Sequence, residues 1–218
     1  MSLAYSVSDV INFITFIHEN MPNQKLYNMK TRTILFFITI ILFASRAMMG
    51  QATSAVTDVI SSAISERNYT TTPVSDQQLE TILRCGIKAP SAVNAQPWKF
   101  TVIKDEAAMK EIVKDVVAGN VLIVVSGQEP QKEGAGTPDF DCGLAAENMF
   151  IAAHGLGLGA RIYGSPARNI NYNKEAYQIP EGYRAIVVLR VGNVAKGVDA
   201  VSSASPRKDY NEVVNFMK

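Results

Sequence analysis

The run "NVLIVVSG", Asn120 to Gly127, leaves this chain few folds to adopt. It is continuously apolar, rich in β-branched residues, of strand length, and shows no alternation of apolar and polar positions. A strand of that kind is covered on both faces. The rest of the chain must therefore supply helices above and below it.

The neighbouring segments fit that demand. Ser75-Asp76-Gln77-Gln78 is a capping-box start, and Leu79, Ile82, Leu83 and Ile87 follow at helical spacing until Gly86 and the approach to Pro90 end the helix. "WKFTVI" alternates as a strand does. Met109, Ile112, Val113, Val116 and Val117 predict a second helix, and Asp139 to His154 a buried, alanine-rich helix stopped by Gly155. "ARIYGS" and "RAIVVLRVG" read as two further strands. Interleaved helices and strands give an α/β or α+β chain with helices packed over a sheet.

At 218 residues, with 47% hydrophobic residues and a formal net charge of +1, the chain has the balance of one well-buried domain. Its near-neutral charge gives no electrostatic case for a nucleic-acid partner. The first 52 residues differ from the rest. From Met29, Lys30 and Arg32 precede an apolar run from Ile34 to Ala44, and small residues follow at cleavage spacing. Residues 29–52 thus read as a secretory signal peptide, because the run falls well short of the ~20 residues that span a bilayer. An uncleaved membrane anchor is the alternative. Residues 1–28 are then an upstream extension, and 53–218 the functional domain of an exported or periplasmic protein. Its exported form should begin near Met48 or Thr53; N-terminal sequencing of secreted material that returned Met1 or Met29 would refute this. Cys85 and Cys142 are able to pair in such a compartment, although two cysteines make no disulfide framework and two free thiols is the plainer reading.

Several chemistries find no support in the domain. His154 is its one histidine, so no imidazole or thiolate cluster of metal-site spacing exists. A hydrolytic triad would have to use His154, which lies on an apolar helix where a structural histidine is expected, and no G-x-S-x-G elbow occurs. "GLGLGA", Gly155 to Ala160, formally fits a dinucleotide finger. It follows a helix and precedes a strand, the reverse of what that motif needs, so helix termination is its expected role. A protein without acid, base, nucleophile or metal binds something or uses a cofactor's chemistry.

One loop carries the residues for that. In "KAPSAVNAQPWKF", Asn94 and Gln96 offer donors and acceptors able to read the edge of a heterocycle, prolines stiffen the backbone, and Trp98 can pin the loop to the core. A rigid turn with polar residues facing water explains the same letters equally well.

The segment "APSAVNAQPWKF" resembles the signature loop of the FMN-dependent nitroreductase family. In order, "RNYTTTPVSDQQLETIL", "DFDCGLAAENMFIAAHGLGLGARIYGS" and "VLRVGNV…SPRKDYNEVV" resemble that family's N-terminal segment, central helix with its glycine run, and closing strand with its P-R tail. The likeness spans about residues 55 to 215. It implies an α+β fold, a central mixed sheet with helices around it, and a homodimer with FMN between the subunits. It also implies that Ser65 and Arg67 serve the phosphate and pyrimidine edge, Asn94 and Gln96 the isoalloxazine ring, Gly164 and Ser165 the surroundings of the flavin N5, and Arg207 the phosphate. The family's first N-terminal cation falls here on Ala63. The spacer between "LIVVSG" and "DFDCG" is shorter than in many members, which reduces a part that shapes the substrate pocket.

The function so implied is ping-pong hydride transfer through the flavin N5, from NAD(P)H to a small organic acceptor such as a nitro compound or quinone, with no protein side chain as catalyst. Export would separate the chain from cytoplasmic NAD(P)H. A second reading is therefore an exported flavoprotein with another donor or with no catalysis, and a third an interaction domain that has lost the cofactor.

Overall fold

The computed structural model describes residues 55–130, 138–195 and 206–217. The signal-peptide and upstream-extension readings lie outside them, as does most of the shortened spacer. The chain divides into two units after Val56, and the second carries everything below.

Its elements are α1 (Asp76–Ile87), β1 (Trp98–Ile103), α2 (Glu106–Ile112), β2 (Val121–Gln128), α3 (Asp139–Gly155), β3 (Gly159–Tyr163), α4 (Pro166–Tyr172), β4 (Tyr183–Gly192) and α5 (Tyr210–Val213). The four strands form one sheet in the order β1-β2-β4-β3, and every neighbouring pair is antiparallel. Among the described residues a parallel contact enters at the bridge from Ser65 to Ala160, and the mixed character expected of the sheet rests on it.

β2 is buried on both faces, as its composition demands. On one side Ile82 of α1 and Ala145, Ala146 and Met149 of α3 pack against Val121, Ile123 and Val125. On the other, Met109 of α2 and Ile170 of α4 pack against Leu122, Val124 and Val188. Helix α1 starts as read: Ser75 Oγ accepts from the Gln78 N–H at 3.2 Å, and Gln78 Oε1 accepts from the Ser75 N–H at 3.1 Å. Helix α2 is shorter than its apolar spacing predicts. It ends at Ile112, and Val113 is already extended at φ −135°. Val113 and Val116 are buried all the same, so the periodic pattern reports burial while β-branched crowding ends the helix.

The glycine run terminates α3. Gly157 adopts φ 74°, its N–H donates to the His154 carbonyl, and the Leu158 N–H reaches back to Ala153. This pair of bonds is a Schellman cap. Cys85 and Cys142 are both free. Burial, then the carboxylates of Asp139 and Asp141, push the Cys142 thiol up to about 12, against the opposing pull of Arg184; as a thiol it is inert at neutral pH.

Candidate functional site

The loop before β1 is held in an unusual conformation. Val93, Asn94 and Gln96 all have positive φ, at 48°, 57° and 47°. Left-handed backbone suits glycine and is tolerated by asparagine, but it is costly at Gln96 and worst at the β-branched Val93. Such strain marks segments that hold side chains in place for a purpose. Here it brings the two amides together: Gln96 Nε2 donates to Asn94 Oδ1 at 3.2 Å, and both residues are exposed. Gln96 also stands on the rim of an open groove of about 430 Å³ whose floor is Leu83, Ile87, Trp98 and Phe100. Trp98 is buried and anchors the loop's far end.

Ser65 and Arg67 lie on an extended segment that crosses the outer edge of β3. The Glu66 N–H donates to Ala160, Tyr69 bridges Val194, and the Thr70 N–H donates to Asn193. Close approach there depends on two facing glycines, Gly159 and Gly192. A Cβ on the first would come within 2.5 Å of Glu66, and on the second within 2.8 Å of Tyr69. Ser65 and Arg67 are exposed. Between them Glu66 is buried, and its Oε1 accepts from the N–H groups of Arg67 at 2.6 Å and Asn68 at 2.7 Å. Those backbone donors are thereby taken. Gly164 and Ser165 follow β3, exposed, with open space where a Gly164 Cβ would sit. Arg207 is exposed in the tail before α5.

The amide loop and the Ser65–Arg67 segment sit at opposite ends of α3. The amide loop is tied to the start of that helix, where the Ala92 N–H donates to both carboxylate oxygens of Asp141 at 3.3 Å. The Ser65–Arg67 segment lies at its end, where Ser65 bridges Ala160, five residues after the helix stops. At about 1.5 Å per residue, Asp141 and His154 are roughly 20 Å apart. His154 serves packing. Its ring meets Phe150 edge-on at 4.6 Å, and burial holds its pKa below the ordinary histidine value.

Sequence reasoning missed Asp141, Glu66 and a buried guanidinium on β4. Arg190 is 1% exposed; its Nε donates to Asn120 Oδ1 at 2.8 Å, its Nη2 to the Asp115 carbonyl at 2.9 Å, and its Nη1 pairs with Asp115 Oδ2 at 3.1 Å. The Tyr69 ring lies over it at 4.0 Å. Burial pushes the Tyr69 hydroxyl pKa upward, against Arg190's opposing pull.

The comparisons with known proteins agree with this architecture. The model of the nitroreductase family matches residues 60–121 and 117–193. A protein of Archaeoglobus fulgidus named for NADH dehydrogenase and NAD(P)H nitroreductase activity is 31% identical over 135 residues, covering 58% of this chain and 78% of that one. One of Methanothermobacter thermautotrophicus bearing the same name is 32% identical over 153 residues, covering 65% and 78%. Among solved structures, a nitroreductase-type protein of Desulfovibrio desulfuricans in complex with FMN aligns with TM-score 0.63 and 27% identity, over 75% of this chain and 96% of that one. The FMN-dependent nitroreductase of Clostridium difficile aligns with TM-score 0.52 and 27% identity, over 66% and 95%. Since the family match runs from the Ser65–Arg67 segment through the amide loop and α3 to the end of β4, the chain belongs to the nitroreductase family.

Proposed function

We propose that the chain is an FMN-dependent oxidoreductase working by a ping-pong cycle, taking electrons from NAD(P)H or another reductant and passing them to a small organic acceptor such as a nitro compound or quinone. The observation that carries this reading is the strained loop, which holds the Asn94 and Gln96 amides side by side and exposed on a chain of this family. The left-handed backbone at Val93 and Gln96 is costly, and strain of that kind clusters at ligand sites. When bound, FMN supplies the two-electron chemistry. The residues present fit it: two amides with donors and acceptors for the ring edge, an open backbone at Gly164 and Ser165, and Ser65, Arg67 and Arg207 for a phosphate.

A second copy of the chain completes the site. Helix α3 buries Cys142, Ala145, Ala146, Met149 and Ala153, yet its other side carries Phe140, 75% exposed, with Leu144 and Ile151 half-buried. Phe140, Leu144 and Ile151 leave apolar surface on that side, beside the exposed Glu147, for a partner to cover. Two α3 helices packed antiparallel about a two-fold axis bury those faces. They also bring one copy's amide loop, at the start of its α3, beside the other copy's Ser65–Arg67 segment at the end. The roughly 20 Å between the two groups in one chain is then closed by the partner. Sedimentation should find the flavin-loaded protein as a dimer.

The reaction is tested by one titration. The chain loaded with FMN should lose its yellow colour when NADH or NADPH is added without oxygen, and regain it with a nitroaromatic or quinone. A colour that neither nicotinamide bleaches would favour another donor or a non-catalytic flavoprotein, the alternative raised by the export reading. No flavin uptake at all would sink the proposal. Asn94→Ala and Gln96→Ala should each weaken FMN and riboflavin alike by about 1–3 kcal/mol, the cost of leaving a desolvated partner unpaired, with unchanged circular dichroism.

A further inference from the structure

The strained loop needs something to hold it. Its own hydrogen bonds are local: the Asn94 N–H donates to the Ser91 carbonyl at 3.0 Å, the Ala95 N–H to Ala92 at 2.9 Å, and the Gln96 N–H to Ser91 Oγ at 3.0 Å. These bonds move with the loop and cannot fix it in space. The tie from its centre to the body of the protein is the Ala92 N–H, immediately before the three left-handed residues, which is shared equally by Asp141 Oδ1 and Oδ2.

Asp141 is placed for this by the packing around it. It lies in the first turn of α3, where a carboxylate is favoured by the helix N-terminus. It does not cap that helix; the N-cap is Pro138, and the oxygens of Asp141 face Ala92. The start of α3 is pressed against the sheet at Gly127, where a Cβ would come within 2.6 Å of Pro138 and 3.1 Å of the Cys142 sulfur. Gly127 in turn pairs with Trp98, the first strand residue after the loop. The carboxylate is thereby set, only 8% exposed, against the loop.

We propose that Asp141 is the positioning residue of the amide loop, holding Asn94 and Gln96 in the orientation in which they meet the flavin ring. This rests on the FMN reading above. The carboxylate acts through the backbone of Ala92 and touches neither cofactor nor substrate.

The test uses the full chain with Asp141→Ala and Asp141→Asn, each alone and combined with Asn94→Ala. The measurements are FMN and riboflavin affinity by fluorescence, the visible spectrum of bound flavin, and the thermal midpoint. Asp141→Ala should weaken both flavins equally, by about ten-fold, the loss of one charge-assisted hydrogen bond. It should shift the bound-flavin spectrum in the same sense as Asn94→Ala. The combined variant should lose less than the two single losses multiplied, because both act through the same contact. Asp141→Asn keeps an acceptor oxygen and should recover part of the affinity; it also carries the test if the alanine variant does not fold. Unchanged affinities in both Asp141 variants, beside a weakened Asn94→Ala, would overturn the inference and leave the FMN reading standing. Fully multiplicative losses would likewise overturn it, as the mark of general destabilisation. Normal binding by Asn94→Ala and Gln96→Ala themselves would remove the FMN reading and the inference together.

Discussion

Arg190→Ala is expected to lower folding stability by about 3–5 kcal/mol, the range for emptying a buried site and orphaning its hydrogen-bond partners. The guanidinium is 1% exposed, while its carboxylate partner Asp115 is 62% exposed. Asp115 can therefore return to water when the arginine is removed, and little of the loss comes from the ion pair itself. The loss comes from Asn120, whose buried Oδ1 keeps only the long 3.4 Å bond from the Val117 N–H, from the Asp115 carbonyl, and from the void under the Tyr69 ring. Two controls separate these contributions. Asp115→Asn, which keeps an oxygen to accept from Nη1 but leaves the buried guanidinium without its carboxylate, should cost about 1–3 kcal/mol, less than the alanine variant. Arg190→Met, which refills much of the volume, should fall between the two. Urea unfolding reads all three, and an alanine variant within about 1 kcal/mol of the parent would contradict the assignment. Because Tyr69 belongs to the segment that carries Ser65 and Arg67, the same variant should also loosen that segment from the sheet edge.

Arg190 illustrates which features a sequence can disclose. "RAIVVLRVG" reads correctly as a strand because its apolar, β-branched run decides that. That its second arginine is buried depends on Tyr69, Asp115 and Asn120, which reach it from two other parts of the chain. The capping box at Ser75 and the doubly covered β2 are local in the same sense, and each stands where its letters place it; the helix read as stopped by Gly155 runs through that residue and is closed by Gly157 of the same glycine run, the one that takes the left-handed turn. Helix α4 has a local signal too, Pro166 directly after Ser165, but its seven residues are too short for apolar spacing to announce it. Helix α2 fails in the opposite direction: the spacing of Val113 and Val116 tracks the core, not the helix.

The candidate site divides in the same way. Asn94 and Gln96 are legible as a pair of amides between prolines. The left-handed backbone beneath them is not, because Val93 is a residue type that avoids it. Nor does the sequence reveal that the loop and the Ser65–Arg67 segment sit at opposite ends of α3, since that follows from which strands pair. A linear list of candidate residues looks like one site; the fold sets the amide loop and the Ser65–Arg67 segment apart.

That division gives the phosphate end its own prediction. Arg207→Ala should weaken FMN by about one to two orders of magnitude, since a charge-assisted hydrogen bond contributes roughly 1.5–3 kcal/mol and ~1.4 kcal/mol is ten-fold. The resemblance puts Ala63 where the family has its first cation, and the N–H groups of Arg67 and Asn68 are already occupied by the Glu66 carboxylate. On the proposed FMN reading those two donors do not serve the phosphate, which then falls to the side chains of Ser65, Arg67 and Arg207. If Arg67 turns toward the ring, Arg207 carries the larger share, with Lys208 beside it. Riboflavin has the ring without the phosphate, so its affinity should be the same for Arg207→Ala and the parent, while Asn94→Ala weakens both ligands. Titrating both flavins against both variants separates ring binding from phosphate binding. An equal loss of riboflavin on removing Arg207 would mean that the tail supports the fold around the ring, and no loss of either flavin would mean that Arg207 faces only water.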